Sequence, residues 1–179
     1  ERIDHLPAAA LRQVRGKLHA LITQNIDGLH QIAGSRNVIE IHGTARRVGC
    51  IRCGAECTPE EAHARVVAGE EAPDCEECGA PLKAKTISFG QQMPVREMEL
   101  AQELAVASGG DNGSEPGVFL AIGSSLVVEP AASIPRIARE HGARLVIINA
   151  TETPLDDLAE LIIREPIGAS MSEALRLLG

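Results

Sequence analysis

Residues 118–122 and 145–148 are apolar at every position, and a helix-length stretch at 131–141 separates them. Strands without alternation must be covered on both faces. Two of them joined through a helix specify a parallel sheet with helices packed on each side. The pattern predicts an α/β fold, a doubly wound parallel sheet. A further strand at 161–164 and a closing helix at 172–178 complete that half, and a helix at 95–107 precedes it, with Val95, Met98, Ala101, Leu104 and Ala105 facing inward. Residues 108–117 read as a Gly-rich surface loop.

The N-terminal part repeats the theme. A helix at 8–19 carries Leu11, Val14 and Leu18 on one face and leads into a buried strand at 18–22, too short to be a helix. Polar side chains then crowd together in Thr23-Gln24-Asn25-Ile26-Asp27-Gly28-Leu29-His30, and Leu29 and Ile32 suggest a helical turn or two, stopped at Gly34. Residues 37–42 alternate, so Ile39 and Ile41 face one way while Glu40 and His42 face the other.

Open α/β sheets bind ligands at the C-terminal ends of their strands. A histidine at such an end, His42, suits a general base near neutral pH. Asn25 and Asp27 suit an amide and a ribose hydroxyl. Gly123, Ser124 and Ser125 form a strand-to-helix turn whose small side chains admit a ligand close to the backbone, and Asn149 stands at another strand end. Each of these residues alone is ordinary as a structural residue. Together they mark one pocket.

Between the two parts, residues 44–86 differ in character. They hold all five cysteines, a short helix at 59–68 and many turn residues, ahead of a short strand at 86–89. Cys50-x-x-Cys53 and Cys75-x-x-Cys78 each place two thiolates within reach of one tetrahedral ion, about 2.3 Å from each sulfur. Gly54 and Gly79 follow the pairs, as knuckle turns require. A redox role for one pair is the rival reading, and two matched pairs favour metal. Four cysteine ligands leave no open position, so the expected zinc ion is structural. Cys57 is left over, most simply as a small buried side chain.

Composition narrows the partners. The formal charge is −8, and the chain has two Phe, no Tyr and no Trp. An acidic chain gains nothing from counterion release on a phosphate backbone, and aromatic stacking on bases is unsupported. The cysteine module is itself net acidic, so no nucleic-acid partner is expected. No apolar run approaches the roughly 18–20 residues that span a membrane, and no signal peptide is visible at the start. Reduced paired cysteines point to the cytoplasm.

The run from Thr23 to His30, followed by Glu40-Ile41-His42-Gly43, closely resembles the signature of the sirtuin family, NAD-dependent protein deacylases. The two cysteine pairs follow in that family's order. Ser88-Phe89-Gly90, Gly123-Ser124-Ser125, Pro130-Ala131-Ala132 and Ile148-Asn149 extend the likeness over nearly the whole chain. The resemblance implies a Rossmann-like NAD-binding domain formed by 1–43 and 87–179, with a zinc-binding module inserted at 44–86. It implies that His42 activates a ribose hydroxyl, with Asn25 and Asp27 beside it in catalysis. Gln24, Asn25, Ile26 and Asp27 would line the nicotinamide and ribose pocket. Gly123, Ser124, Ser125 and Asn149 would hold the adenosine half, with Met171 near the adenine. Ile87, Ser88, Phe89 and Gly90 would pair with an acyl-lysine peptide as an added strand. The implied reaction moves the acyl group to ADP-ribose and releases nicotinamide.

Two departures accompany the likeness. Gln91 stands where the family usually has an acidic residue, at a position suited to tuning substrate preference. The Gly-rich first strand-turn-helix, a unit of roughly 30 residues that cradles a pyrophosphate, is not in the sequence. The chain is therefore expected to be a fragment of a deacylase that binds NAD poorly by itself. Two alternatives remain open at this point: a protein ADP-ribosyltransferase using the same pocket, and a non-catalytic zinc-braced module that recognises acyl-lysine peptides.

Overall fold

The computed structural model describes residues 18–88, 90–110 and 115–178. The expected helix at 8–19, apart from its last two residues, lies outside them, as do Phe89 and part of the 108–117 loop. Strand β1 (Leu21–Thr23) pairs in parallel with β2 (Val38–Glu40), and the single helical turn α1 (Leu29–Ile32) connects them. Strands β6 (Val118–Ile122), β7 (Arg144–Ile148) and β8 (Leu161–Ile163) form a second parallel set in that order. The crossover from β6 to β7 is helix α4 (Ser133–Glu140), and α5 (Ile167–Leu178) follows β8.

Helices lie on both faces of the β6–β8 sheet, although Val118 and Leu120 of β6 and Leu161 of β8 stay exposed. On one face, α4 packs together with α3 (Val95–Ala107) over Phe119 and the end of β2. That core holds Ile39, Ile41, Met98, Ala101, Ala105, Ile134 and Ala138. Ala101, Ala105 and Ala138 are fully buried. With aromatics almost absent, alanine at the contact lets the two helices approach closely. On the other face, Ile167, Met171 and Leu175 of α5 lie on Ile122, Val146, Ile148 and Ile163.

Residues Gly43–Cys50 (β3), Glu56–Cys57 (β4) and Leu82–Thr86 (β5) form an antiparallel sheet ordered β4-β3-β5. Helix α2 (Pro59–Val67) starts at a capping box: the Glu61 N–H donates to Thr58 Oγ1 at 3.1 Å and the Thr58 N–H to Glu61 Oε2 at 2.7 Å. Pro59 at the first helical position is preorganised for this start.

Some expectations shift. The strand expected at 86–89 lies at Leu82–Thr86. Its true signal is the alternation of Leu82, Ala84 and Thr86 against the exposed Lys83 and Lys85. Beyond Thr86, among the described residues, the Ile87 N–H, donating to His42 O at 3.0 Å, alone continues the pairing. The closing helix begins at Ile167, because Ile167, Met171 and Leu175 already repeat every four residues. Val95, expected to face inward, is 54% exposed at the first turn of α3. Strand β6 is only half buried: β7 lies on one side of it, and Val118 and Leu120 remain exposed.

Candidate active site

The polar cluster after β1 is shaped by its own side chains. Thr23 is buried, and its Oγ1 accepts the Asn25 N–H at 3.0 Å, which turns the chain out of the strand. Asp27 Oδ1 accepts the Leu29 N–H at 2.9 Å, an Asx turn at the entry to α1. Gly28 sits between them at φ +69°, with the Arg46 side chain so close that a Cβ would lie 2.0 Å from its Cδ. The exposed Arg46 side chain could move aside, so it is the positive φ that favours glycine there.

His42 stands at the junction of three segments. Its Nδ1 lies 3.1 Å from the carbonyl oxygen of Gln24. A carbonyl only accepts, so in this hydrogen bond Nδ1 carries the proton and Nε2 is the nitrogen with a free lone pair. His42 O in turn accepts from Ile87 N, and the Ala45 N–H donates to Ile26 O at 2.8 Å. The candidate base, the Gln24–Asp27 loop and the start of the 87–91 segment are thereby held in one frame.

A second set of strand ends meets the first. Gln24 Nε2 donates to Ser124 Oγ at 3.2 Å, across 100 positions of sequence, and Ser124 Oγ also accepts the Leu126 N–H at 3.3 Å. The Gly123 N–H donates to Ile148 O at 2.9 Å, and the Asn149 N–H to Ile163 O at 3.1 Å. Gly123 has φ +62°, and a Cβ there would crowd Ile167. This bare turn is the kind of cradle a nucleotide backbone needs. Asn149 Nδ2 donates to Thr151 O at 2.9 Å and Oγ1 at 3.2 Å.

The expected residues are thus distributed unevenly. Gln24, His42, Ser124 and Ile87 are linked by hydrogen bonds either directly or through one another. Asn25 and Asp27 flank Ile26 on the loop between them, and Ser125 follows Ser124 as an exposed residue. Met171 is 8% exposed and packs into the α5 core against Ile148. Ser88 is exposed, and its N–H donates to Gln91 Oε1 at 3.2 Å while Gln91 N donates back to Ser88 O at 2.9 Å. Sequence reasoning places Thr23 at the head of the polar run and Arg164 at the end of a strand but gives neither a role; Arg164 donates to Asn149 O at 3.0 Å. A lone threonine or arginine near a strand end carries no local signal.

The four paired cysteines converge. The sulfurs of Cys50, Cys53, Cys75 and Cys78 all lie within 4.8 Å of one another. Cys50 Sγ is 3.4 Å from Cys78 Sγ, and Cys53 Sγ is 3.5 Å from Cys75 Sγ. Sulfurs about 2.3 Å from a tetrahedral zinc are about 3.8 Å apart, so the donor set fits that ion. Backbone N–H groups of Cys53 and Arg52 point at Cys50 Sγ and lower its pKa to about 6. Ala55 N–H lowers the Cys53 pKa as well, but the sulfurs of Cys75 and Cys78 outweigh it and push the thiol up to about 12. Four thiols this close cannot all ionise without a cation among them. Cys57 is not in the cluster.

Residues 4–130 match the model of the Sir2 family. The chain belongs to that family. It is 46% identical over 180 residues to the NAD-dependent protein deacetylase 2 of Streptomyces coelicolor, covering 97% of this chain and 71% of that one. It is 44% identical over 158 residues to the NAD-dependent protein deacetylase of Rhodopseudomonas palustris, covering 87% of this chain and 59% of that one. The fold superposes with a TM-score of 0.87 on a solved Sir2 in complex with a p53 peptide and NAD+, at 33% identity, covering 98% of this chain and 70% of the other. This family member thus spans between about three fifths and seven tenths of the length of these relatives.

Proposed function

We propose that this chain carries the nicotinamide-facing and peptide-facing parts of an NAD-dependent protein-lysine deacylase. The observation that carries the reading is the double tether of His42, to Gln24 O through its ring and to Ile87 N through its backbone. It supports a base at His42, between the loop read as holding the cofactor and the segment read as pairing with the substrate.

In this reading NAD supplies the ribose and the nicotinamide leaving group. His42 Nε2 takes the proton from a ribose hydroxyl, helped by the Gln24 carbonyl, which stabilises the charge gained on the ring. Asn25 and Asp27 orient the ribose and carboxamide, and Gln24 and Ile26 complete that wall. Gly123, Ser124, Ser125 and Asn149 receive the adenosine half, and Met171 supports that end from below. Ile87, Ser88, Phe89 and Gly90 add an acyl-lysine peptide as a strand. Residues 44–86 form a zinc-binding module, 1–43 and 87–179 the NAD-binding domain, and the zinc ion braces rather than reacts.

Among the described residues no helix is long and apolar enough to cross a membrane. Reduced, metal-binding cysteines support a cytoplasmic site of action. The deciding experiment incubates the complete protein with NAD and an acetylated peptide and separates the products. Nicotinamide with acetyl-ADP-ribose is expected. ADP-ribosylated protein with the peptide still acetylated would reject the deacylase reading.

A further inference from the structure

We propose that Arg164 is a positioning residue for the adenosine end of the pocket, acting through Asn149. The inference rests on the reading of Asn149 as an NAD contact and adds a residue that no motif marks.

Arg164 directly follows β8 and reaches back to the end of β7. One branch of its guanidinium, Nη1, donates to Asn149 O at 3.0 Å, and the other, Nη2, forms an ion pair with Asp156 Oδ2. The backbone of Asn149 is therefore held from both sides, its N–H by Ile163 O and its carbonyl by Arg164. Asp156 is fixed in turn. Its Oδ1 accepts the Thr153 hydroxyl at 2.7 Å, and buried Thr153 also accepts the Leu155 N–H at 3.3 Å. The loop from Asn149 to Asp156 is closed into a ring by a single side chain.

The ring sets what Asn149 presents. Its side-chain amide hydrogens face Thr151 O and Oγ1. That leaves Oδ1 as its acceptor towards a ligand, an orientation suited to a hydroxyl or amino hydrogen of an adenosine. The clamp is largely sheltered: the Arg164 side chain is 34% exposed and that of Asp156 20%. A lysine could keep the charge opposite Asp156, but it lacks the planar fork needed to hold both partners in this geometry.

The test uses the complete enzyme with Arg164→Ala and Arg164→Lys. KM is measured for NAD and for an acetylated peptide, and calorimetry follows binding of ADP-ribose, which lacks the nicotinamide. For Arg164→Ala, KM for NAD and Kd for ADP-ribose are expected to rise about fivefold. The kcat at saturating NAD and KM for the peptide stay within about twofold, and Arg164→Lys falls between. Unchanged ADP-ribose affinity in Arg164→Ala would overturn the proposal. So would a parallel fall of kcat, peptide affinity and melting temperature in both variants, which marks a residue of the fold alone. A wild-type enzyme that binds no ADP-ribose would remove the adenosine reading and this inference together, whereas binding that both variants retain removes the inference alone.

Discussion

His42 Nδ1 lies 3.1 Å from the backbone carbonyl of Gln24, which fixes the ring tautomer that leaves Nε2 free to accept a proton. The partner is a main-chain oxygen, so no side-chain substitution at Gln24 removes it. The base is instead lost only by changing His42. His42→Ala in the complete enzyme is expected to lower kcat/KM for deacetylation by at least about 100-fold while leaving the melting temperature nearly unchanged. Steady-state rates and a thermal melt check both parts.

Gln24 contributes its side chain elsewhere, to Ser124 Oγ across the two sets of strand ends. Removing that bridge with Gln24→Ala should raise KM for NAD and cost about 1 kcal/mol of stability. Ser124→Ala should cost more, since it also removes the acceptor of the Leu126 N–H. In the mutant cycle the double variant is expected to be about as stable as Ser124→Ala alone, because the Gln24 bridge is already lost there.

Zinc removal should reach the pocket as well as the module. Strand β3 leads from Gly43, beside His42, to Cys50 of the sulfur cluster, with a shift in its pairing to β5 between Gly43 and Val48. Cys75→Ser is expected to abolish stoichiometric zinc, lower the melting temperature and reduce activity together. Cys57→Ser should leave metal content at one ion per chain and leave activity intact. Metal analysis by mass spectrometry distinguishes the two.

Acid should weaken the β4-β3-β5 sheet through Glu56. Its carboxyl accepts from Lys85 and pairs with Arg47, and those two cations, Lys85 foremost, hold its pKa below the ordinary 4.5. A carboxyl with a lowered folded pKa adds stability that is present above its unfolded value and lost as pH falls through the folded one. Glu56→Gln should therefore be less stable at neutral pH and show a shallower loss on acidification below 4.5, more visibly at low salt. Thermal melts across that range give the comparison.

The α2 cap is a local test of the module. Thr58→Ala removes an acceptor for the Glu61 N–H and is expected to cost about 1 kcal/mol, read from chemical unfolding, with zinc affinity unchanged.

Where structure follows from neighbours along the chain, it was legible beforehand. Helix α3 occupies Val95–Ala107, the positions its periodicity marks, and β6 occupies Val118–Ile122, the unbroken apolar run. Two Cys-x-x-Cys pairs announce a four-sulfur cluster because a knuckle turn is a local geometry, and the cluster is present. The α5 start and β5 lie away from their expected positions, although Ile167, Met171 and Leu175 repeat every four residues and Leu82, Ala84 and Thr86 alternate with lysines. Each pattern is only three residues deep, and packing partners far away in sequence decide where the element begins.

The sequence by itself determined the element types, the sulfur quartet and a polar cluster at strand ends, because hydrophobic spacing and turn chemistry act within a few residues. Only the tertiary structure decided how the ends meet. Gln24 finds Ser124 100 positions away, Ile87 finds His42, and Arg164 ties Asn149 to Asp156. Those contacts depend on which strands lie side by side and on how far each helix shifts to bury its alanines. That geometry is fixed by the packed core as a whole, and no window of the chain contains it.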